Sequence, residues 1–101
     1  MIIHTALFKL KHARGSAAEA AFLKSADSLM AIPGVQNFQK LRQVSSKNDF
    51  TFCFSMEFAS QKEYDFYNAH PDHVAFVQSK WIPEVEAFME VDYVKLQSGA
   101  L

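Results

Sequence analysis

Apolar and small residues fill both alternating sides of residues 2–10. Ile3, Thr5 and Leu7 lie on one side and His4, Ala6, Phe8 and Leu10 on the other, which predicts a strand buried on both faces. Arg14-Gly15 breaks it, and Ser16 with Glu19 three residues on has the form of a capping box. A helix is predicted from there to about residue 31, with Ala18, Phe22, Ser25 and Leu29 toward the sheet, until Pro33-Gly34 stops it. Residues 35–44 read as a more polar strand and residues 45–49 as a hairpin loop. The clearest strand is 50–58, where Phe50, Phe52, Phe54, Met56 and Phe58 alternate with Thr51, Cys53, Ser55 and Glu57. Ser60 and Glu63 form a second capping box, with Ala59 and Tyr64 as a hydrophobic staple, and open a helix to about residue 69. Pro71 suits the first position of a third helix, with His70 as its N-cap. That helix buries either Val74, Val77 and Trp81 or, one face over, Phe76 and Lys80, and Pro83 ends it. Residues 86–96 read as the last strand.

The order β-α-β-β-α-α-β, with each half opening its helix on Ser-x-x-Glu, predicts an α+β, ferredoxin-like fold: a four-stranded antiparallel sheet with helices on one face. Residues 1–97 make one domain and 98–101 a tail, within a length of 101 residues. The other sheet face, with Ile3, Leu7, Thr51, Cys53 and Ser55, is too apolar to be left fully wet. Either a partner sheet covers it or it stays half-exposed, as antiparallel sheets can.

Ten basic and eleven acidic residues leave a net charge of -1, without the basic footprint of a nucleic-acid binder. Cys53 is the single cysteine, which excludes an intrachain disulfide and fits a reducing, cytoplasmic setting. It reads as a small buried apolar residue rather than a nucleophile. The opening apolar run is broken at Lys9 and is too short for a signal or a membrane span.

Candidate chemistry gathers at residues 67–73, Tyr-Asn-Ala-His-Pro-Asp-His, which hold two of the four histidines at a helix-to-helix corner. His73 falls at the third position of its helix. The helix N-terminus favours neutral imidazole there, as a general base requires, while Asp72 pulls the other way. Tyr67 then serves to hydrogen-bond an enolate or carbonyl oxygen while His73 removes an α-proton. Against this stands the structural reading, in which a tyrosine and a histidine at a helix corner satisfy backbone groups. His4 is a hydrogen-bonded core histidine unless it points at the helices, toward His73. The His70/His73 spacing can share a metal, with His4 as a third ligand, but His70 is needed at the cap and no carboxylate is clearly placed beside them, so no metal or cofactor is expected. His12 reads as a solvated loop residue. Trp81 and the phenylalanine stripe are core, or the walls of a pocket for an aromatic ligand.

The opening Ile2-Ile3-His4-Thr5-Ala6-Leu7-Phe8-Lys9, the segment His70-Pro71-Asp72-His73-Val74-Ala75-Phe76 and the closing Val91-Asp92-Tyr93 together resemble the stress-responsive α/β-barrel (Dabb) domain family across nearly the whole chain. The resemblance implies a ferredoxin-like monomer and a homodimer whose two sheets face each other, and it favours the dimer for the apolar face. Some plant members are polyketide cyclases that close a ring by intramolecular aldol condensation without cofactor or metal. Their active pair matches His73 and Tyr67, and a histidine on their first strand matches His4. Where they carry an aromatic residue on the first helix, this chain has Ala26.

Three readings follow. The first is a dimer that binds or transforms a small apolar carbonyl or polyketide-like compound through His73, Tyr67 and His4. The second is a non-enzymatic stress-related or structural dimer. The third, by fold analogy alone, is a cofactor-independent monooxygenase or haem-handling enzyme. None involves nucleic acid or a membrane.

Overall fold

The computed structural model describes residues 1–96. The expected tail at 98–101 lies outside the described residues. Strand β1 (Ile2–Leu10) leads to α1 (Ala17–Ser25), which tightens into 3-10 turns over Ala26–Ala31. Then come β2 (Gln36–Arg42), β3 (Phe52–Phe58), α2 (Gln61–Ala69) and α3 (Pro71–Phe76). The last helix runs on through a π-helical turn, Val77–Trp81, and a final turn, Ile82–Glu84, into β4 (Val85–Tyr93). The sheet order is β2-β3-β1-β4, antiparallel at every pairing. This is the predicted ferredoxin-like α+β fold.

The strict alternation of β1 and β3 decides which face the helices cover. Ala6, Phe8 and Leu10 of β1 and Phe52, Phe54, Met56 and Phe58 of β3 are buried beneath Phe22, Ala26, Leu29, Tyr67 and Phe76 of the helices. Side chains two apart share a face, so the intervening Ile3, Thr5, Leu7, Cys53 and Ser55 lie on the far side and stay half-buried. Ala18 is exposed, not sheet-facing as predicted, and Ala26 is buried instead. The 3-10 tightening after Ser25 keeps Leu29 inward three residues on.

The Ser16 cap forms as predicted. The Glu19 N–H donates to Ser16 Oγ at 3.1 Å, and the Glu19 carboxylate accepts from the Gly15 N–H at 3.2 Å. Ser16→Ala is expected to cost about 1 kcal/mol, read as a lowered urea midpoint at unchanged m-value. The second box differs. Ser60 bonds the Glu63 carboxylate directly and makes no side-chain bond to the helix backbone. The staple differs too: Ala59 is exposed and Tyr64 stacks on Phe58 with ring centroids 5.1 Å apart. Gly34 has φ +93°, the left-handed conformation that favours glycine, while a Cβ there would make only ordinary contact with the Glu63 Cβ at 3.4 Å.

The predicted strand bounds shift, and β2 spans Gln36–Arg42 rather than 35–44. β3 begins at Phe52 because Phe50 is held in the preceding loop, its N–H on Asn48 Oδ1 at 2.9 Å and its carbonyl accepting from Gln43 Nε2 at 2.6 Å. The last strand spans Val85–Tyr93 rather than 86–96. His12, expected in solvent, is bonded to Glu84 Oε1 at 2.7 Å, because the Lys11 N–H donates to the Glu84 carbonyl and draws this loop onto the approach to β4.

Candidate active site

Between the sheet and the last helix lies a pocket of about 360 Å³. Its floor is His4 and Ala6 of β1 with Phe54 and Met56 of β3, and its roof is Leu29, Tyr67, His73, Phe76, Val77 and Trp81. Ile82, Phe88 and Glu90 also line it, and all three are exposed, which puts the mouth on the β4 side. The three sequence-selected residues, His4, Tyr67 and His73, therefore border one cavity.

The π-helical turn shapes the roof. The Ile82 N–H bonds back five residues to the Val77 carbonyl, just where Pro83 has no N–H to give the carbonyl four residues before it. The extra residue lets Phe76 and Trp81, five apart, both face inward, with Val77 beside them, while Val74 is left exposed. Neither helical face read from the sequence is the one buried, because both assumed an unbroken α-helical period. Trp81 and Phe54 serve as core and pocket wall together, their rings 6.2 Å apart.

At the corner between α2 and α3, His70 caps α3, with Nδ1 accepting from the Asp72 N–H at 3.1 Å. His73 takes a different task. Its Nδ1 lies 3.1 Å from the Asn68 carbonyl oxygen. A carbonyl only accepts, so Nδ1 carries the proton, and a neutral His73 keeps its lone pair on Nε2. Burial lowers the His73 pKa and the nearby His4 lowers it further, against the Asn68 carbonyl and Glu90, which raise it. The Tyr67 ring lies against His73, with centroids 4.4 Å apart. Tyr67 is 2% exposed, and among the described residues its hydroxyl makes no hydrogen bond to protein. Burial raises its pKa, with Tyr64 and Glu90 adding to the shift, so the hydroxyl stays protonated. It is a donor bordering the cavity.

His4 is both core residue and pocket wall. It is 4% exposed, on the helix-covered face, opposite Asp92 in the β1–β4 register. His4 Nδ1 is 2.5 Å from Asp92 Oδ1, and the Tyr64 hydroxyl donates to Asp92 Oδ2 at 2.9 Å while lying 2.9 Å from the same His4 nitrogen. The carboxylate thus fixes the His4 ring with Nδ1 as donor and Nε2 unengaged. Burial and the bond to Asp92 raise the Tyr64 pKa. Sequence reading saw no carboxylate beside the histidines; Asp92 and Glu90 supply two. Their signal was alternation along 88–92, which puts Phe88, Glu90 and Asp92 on one face, but only the pairing register brings that face to His4. Ala26 is fully buried in the core and does not line the pocket, whereas Leu29 does. Cys53 is half-buried on the opposite sheet face, where desolvation raises its thiol pKa.

Residues 2–95 match the model of the stress-responsive A/B barrel domain. The chain belongs to that family. A curated relative, a stress-response A/B barrel domain-containing protein of Arabidopsis thaliana, is 28% identical over 96 residues, which are 93% of this chain and 36% of that protein. The chain thus spans about a third of the length of the curated relative it matches. Among solved structures, a Dabb family protein with a ferredoxin-like fold from Mesorhizobium loti is 56% identical, with TM-score 0.93 over 95% of this chain and 97% of the other. Two likenesses at lower identity concern the fold alone. A dimeric ferredoxin-like protein of unknown function from Thermobifida fusca has 20% identity and TM-score 0.76, covering 93% of this chain and 90% of its own. The hydroxynitrile lyase of Passiflora edulis has 14% identity and TM-score 0.82, covering 96% and 94%. Among the described residues, no helix is long and apolar enough to cross a membrane.

Proposed function

We propose that this protein is a homodimer that binds a small, largely apolar carbonyl compound in the helix-covered pocket and takes a proton from the carbon beside its carbonyl. The observation that carries this is the His73–Asn68 bond, which leaves Nε2 as the basic nitrogen of a half-buried imidazole at an aromatic-walled pocket. In the step, Nε2 accepts the α-proton, the C–H pair becomes the carbon–carbon bond of an enolate, and the carbonyl pair moves onto oxygen. The Tyr67 hydroxyl donates to that oxygen, and the His4 ring, held by Asp92, orients it. If the ligand carries a second carbonyl, the enolate carbon attacks its carbon and closes a ring, that carbonyl's pair moves onto oxygen, and the resulting alkoxide takes the proton held on His73 Nε2, as the resemblance to the plant cyclases implies. That a hydroxynitrile lyase has the same fold is compatible with an enzyme built on it. The step uses only groups of this chain and is cytoplasmic in the simplest setting.

The test needs no knowledge of the natural substrate. Acetophenone in D2O with the protein should lose its methyl proton signal faster than with an equal concentration of free imidazole. Exchange no faster than imidazole gives would leave the non-enzymatic dimer as the better reading.

The dimer rests on the far sheet face. Ile3, Leu7, Cys53 and Val91 are half-buried there and Leu41, Met89 and Tyr93 are exposed, an apolar surface that a second copy would cover. A dimer is known for the ferredoxin-like Thermobifida protein, and the barrel of the family description fits two sheets face to face. Leu7→Glu puts a charge at the centre of that face and should halve the mass by light scattering at micromolar concentration. A wild-type protein that already runs as a monomer there would rule the dimer out.

A further inference from the structure

Of the ionisable side chains lining the pocket, His4, Tyr67, His73 and Glu90, the last has no task in the reaction above. It stands opposite Ala6 in the β1–β4 register, two residues before Asp92 on the same face. Asp92 is engaged by both His4 and Tyr64, whereas among the described residues Glu90 forms no ion pair or side-chain hydrogen bond. The lining contains no lysine or arginine to neutralise it, and its other walls are largely aromatic and aliphatic carbon. Glu90 is exposed, whereas His4 and Tyr67 are buried and His73 half-buried, so it stands at the mouth of the same cavity and the reacting groups lie further in.

At the mouth, the exposed Glu90 carboxylate is hydrated by solvent water. A ligand that fills the mouth displaces that water. A buried carboxylate without a donor is costly, so a ligand that offers an O–H or N–H there is favoured over one that offers only carbon. A ligand that offers a second carboxylate brings a like charge into a low-dielectric site without a cation.

Resting on the carbonyl-binding reading above, we propose that Glu90 sets ligand specificity: the pocket takes uncharged aromatic ketones with a hydrogen-bond donor at the end away from the carbonyl, and rejects their carboxylate counterparts.

A matched series tests this: 4′-hydroxyacetophenone, 4′-aminoacetophenone, unsubstituted acetophenone and 4-acetylbenzoate share one ketone and differ at the far end. Trp81, the single tryptophan and a pocket wall, reports binding through its indole N–H resonance. The hydroxy and amino compounds should bind about tenfold or more tighter than acetophenone, and 4-acetylbenzoate about tenfold or more weaker. Glu90→Gln removes the charge and should improve 4-acetylbenzoate by about fivefold or more. Glu90→Leu removes the acceptor and should abolish the preference for the donors. If acetophenone binds and exchanges but the series is not ranked, or both variants keep the wild-type ranking, the role of Glu90 is overturned and the carbonyl-binding pocket stands. If no ketone of the series moves the Trp81 resonance, both are overturned.

Discussion

His73→Ala should slow α-proton exchange from a bound ketone by about 10²- to 10⁴-fold, the usual contribution of a positioned general base. It should leave the melting temperature close to that of wild type. The expectation rests on the bond from Nδ1–H to the Asn68 carbonyl, which leaves Nε2 as the basic nitrogen, and on the half-buried position of the ring. Its packing partner Tyr67 stays anchored without it, in contact with Phe58 at 5.1 Å between centroids. A glutamine at 73 can occupy much of the same space without the base, so His73→Gln should fall as far as the alanine. The pH profile separates chemistry from packing. Burial lowers the His73 pKa from the ordinary 6.5, so the unprotonated base is already dominant at neutral pH. The rate should be flat above neutrality and fall as pH drops, with its midpoint below 6.5. A midpoint above that value, an unchanged rate in His73→Ala, or a large drop in its melting temperature would mark His73 as a structural histidine.

Phe8→Ala should destabilise the fold by about 3–5 kcal/mol, comparable with the whole stability of a small domain at the lower end of the usual range. Phe8 is 0% exposed at the centre of the sheet. Its ring lies 4.7 Å from Phe54, 5.0 Å from Trp81 and 5.7 Å from both Phe22 and Phe52, so one truncation opens a hole between the sheet, α1 and the last helix. Rings held from several sides cannot collapse into such a space without leaving their own contacts, which puts the cost at the upper part of the range. Urea denaturation followed by far-UV circular dichroism reads it directly. A loss below about 1 kcal/mol would mean that the site refills and that this cluster is not the centre of the core.

The elements most legible in the sequence were those whose signal is local. The alternation of 2–10, the Ser16 cap, the Pro71 start and the His70 cap all depend on neighbours within four residues and have the expected geometry, and the alternation read over 50–58 holds as strand from Phe52 to Phe58. Failures came where a distant contact competes with a local rule. Ser60 and Glu63 have the capping sequence but bond each other. His12 has a loop's surroundings in sequence and a carboxylate partner 72 residues away in space. The period of the last helix was misread because nothing in Val77-Gln78-Ser79-Lys80-Trp81 announces a π-helical turn; Pro83 was the one clue, and it was read as a stop.

The site divides along the same line. Tyr67 and His73 share one helix corner, so their nearness is a property of local sequence. The Asn68 carbonyl that fixes the His73 tautomer belongs to that corner as well. By itself, then, the sequence determined the strands and helices, the family, the histidine–tyrosine pair and the apolar character of what surrounds it. Only tertiary structure decided that His4 faces that pair, that Asp92 and Tyr64 hold His4, and that Glu90 reaches the same cavity. The reason is register. Which residue of β4 stands opposite His4 depends on how a strand more than 80 residues later aligns along β1, and a slip of one position would turn Asp92 and Glu90 to the other face.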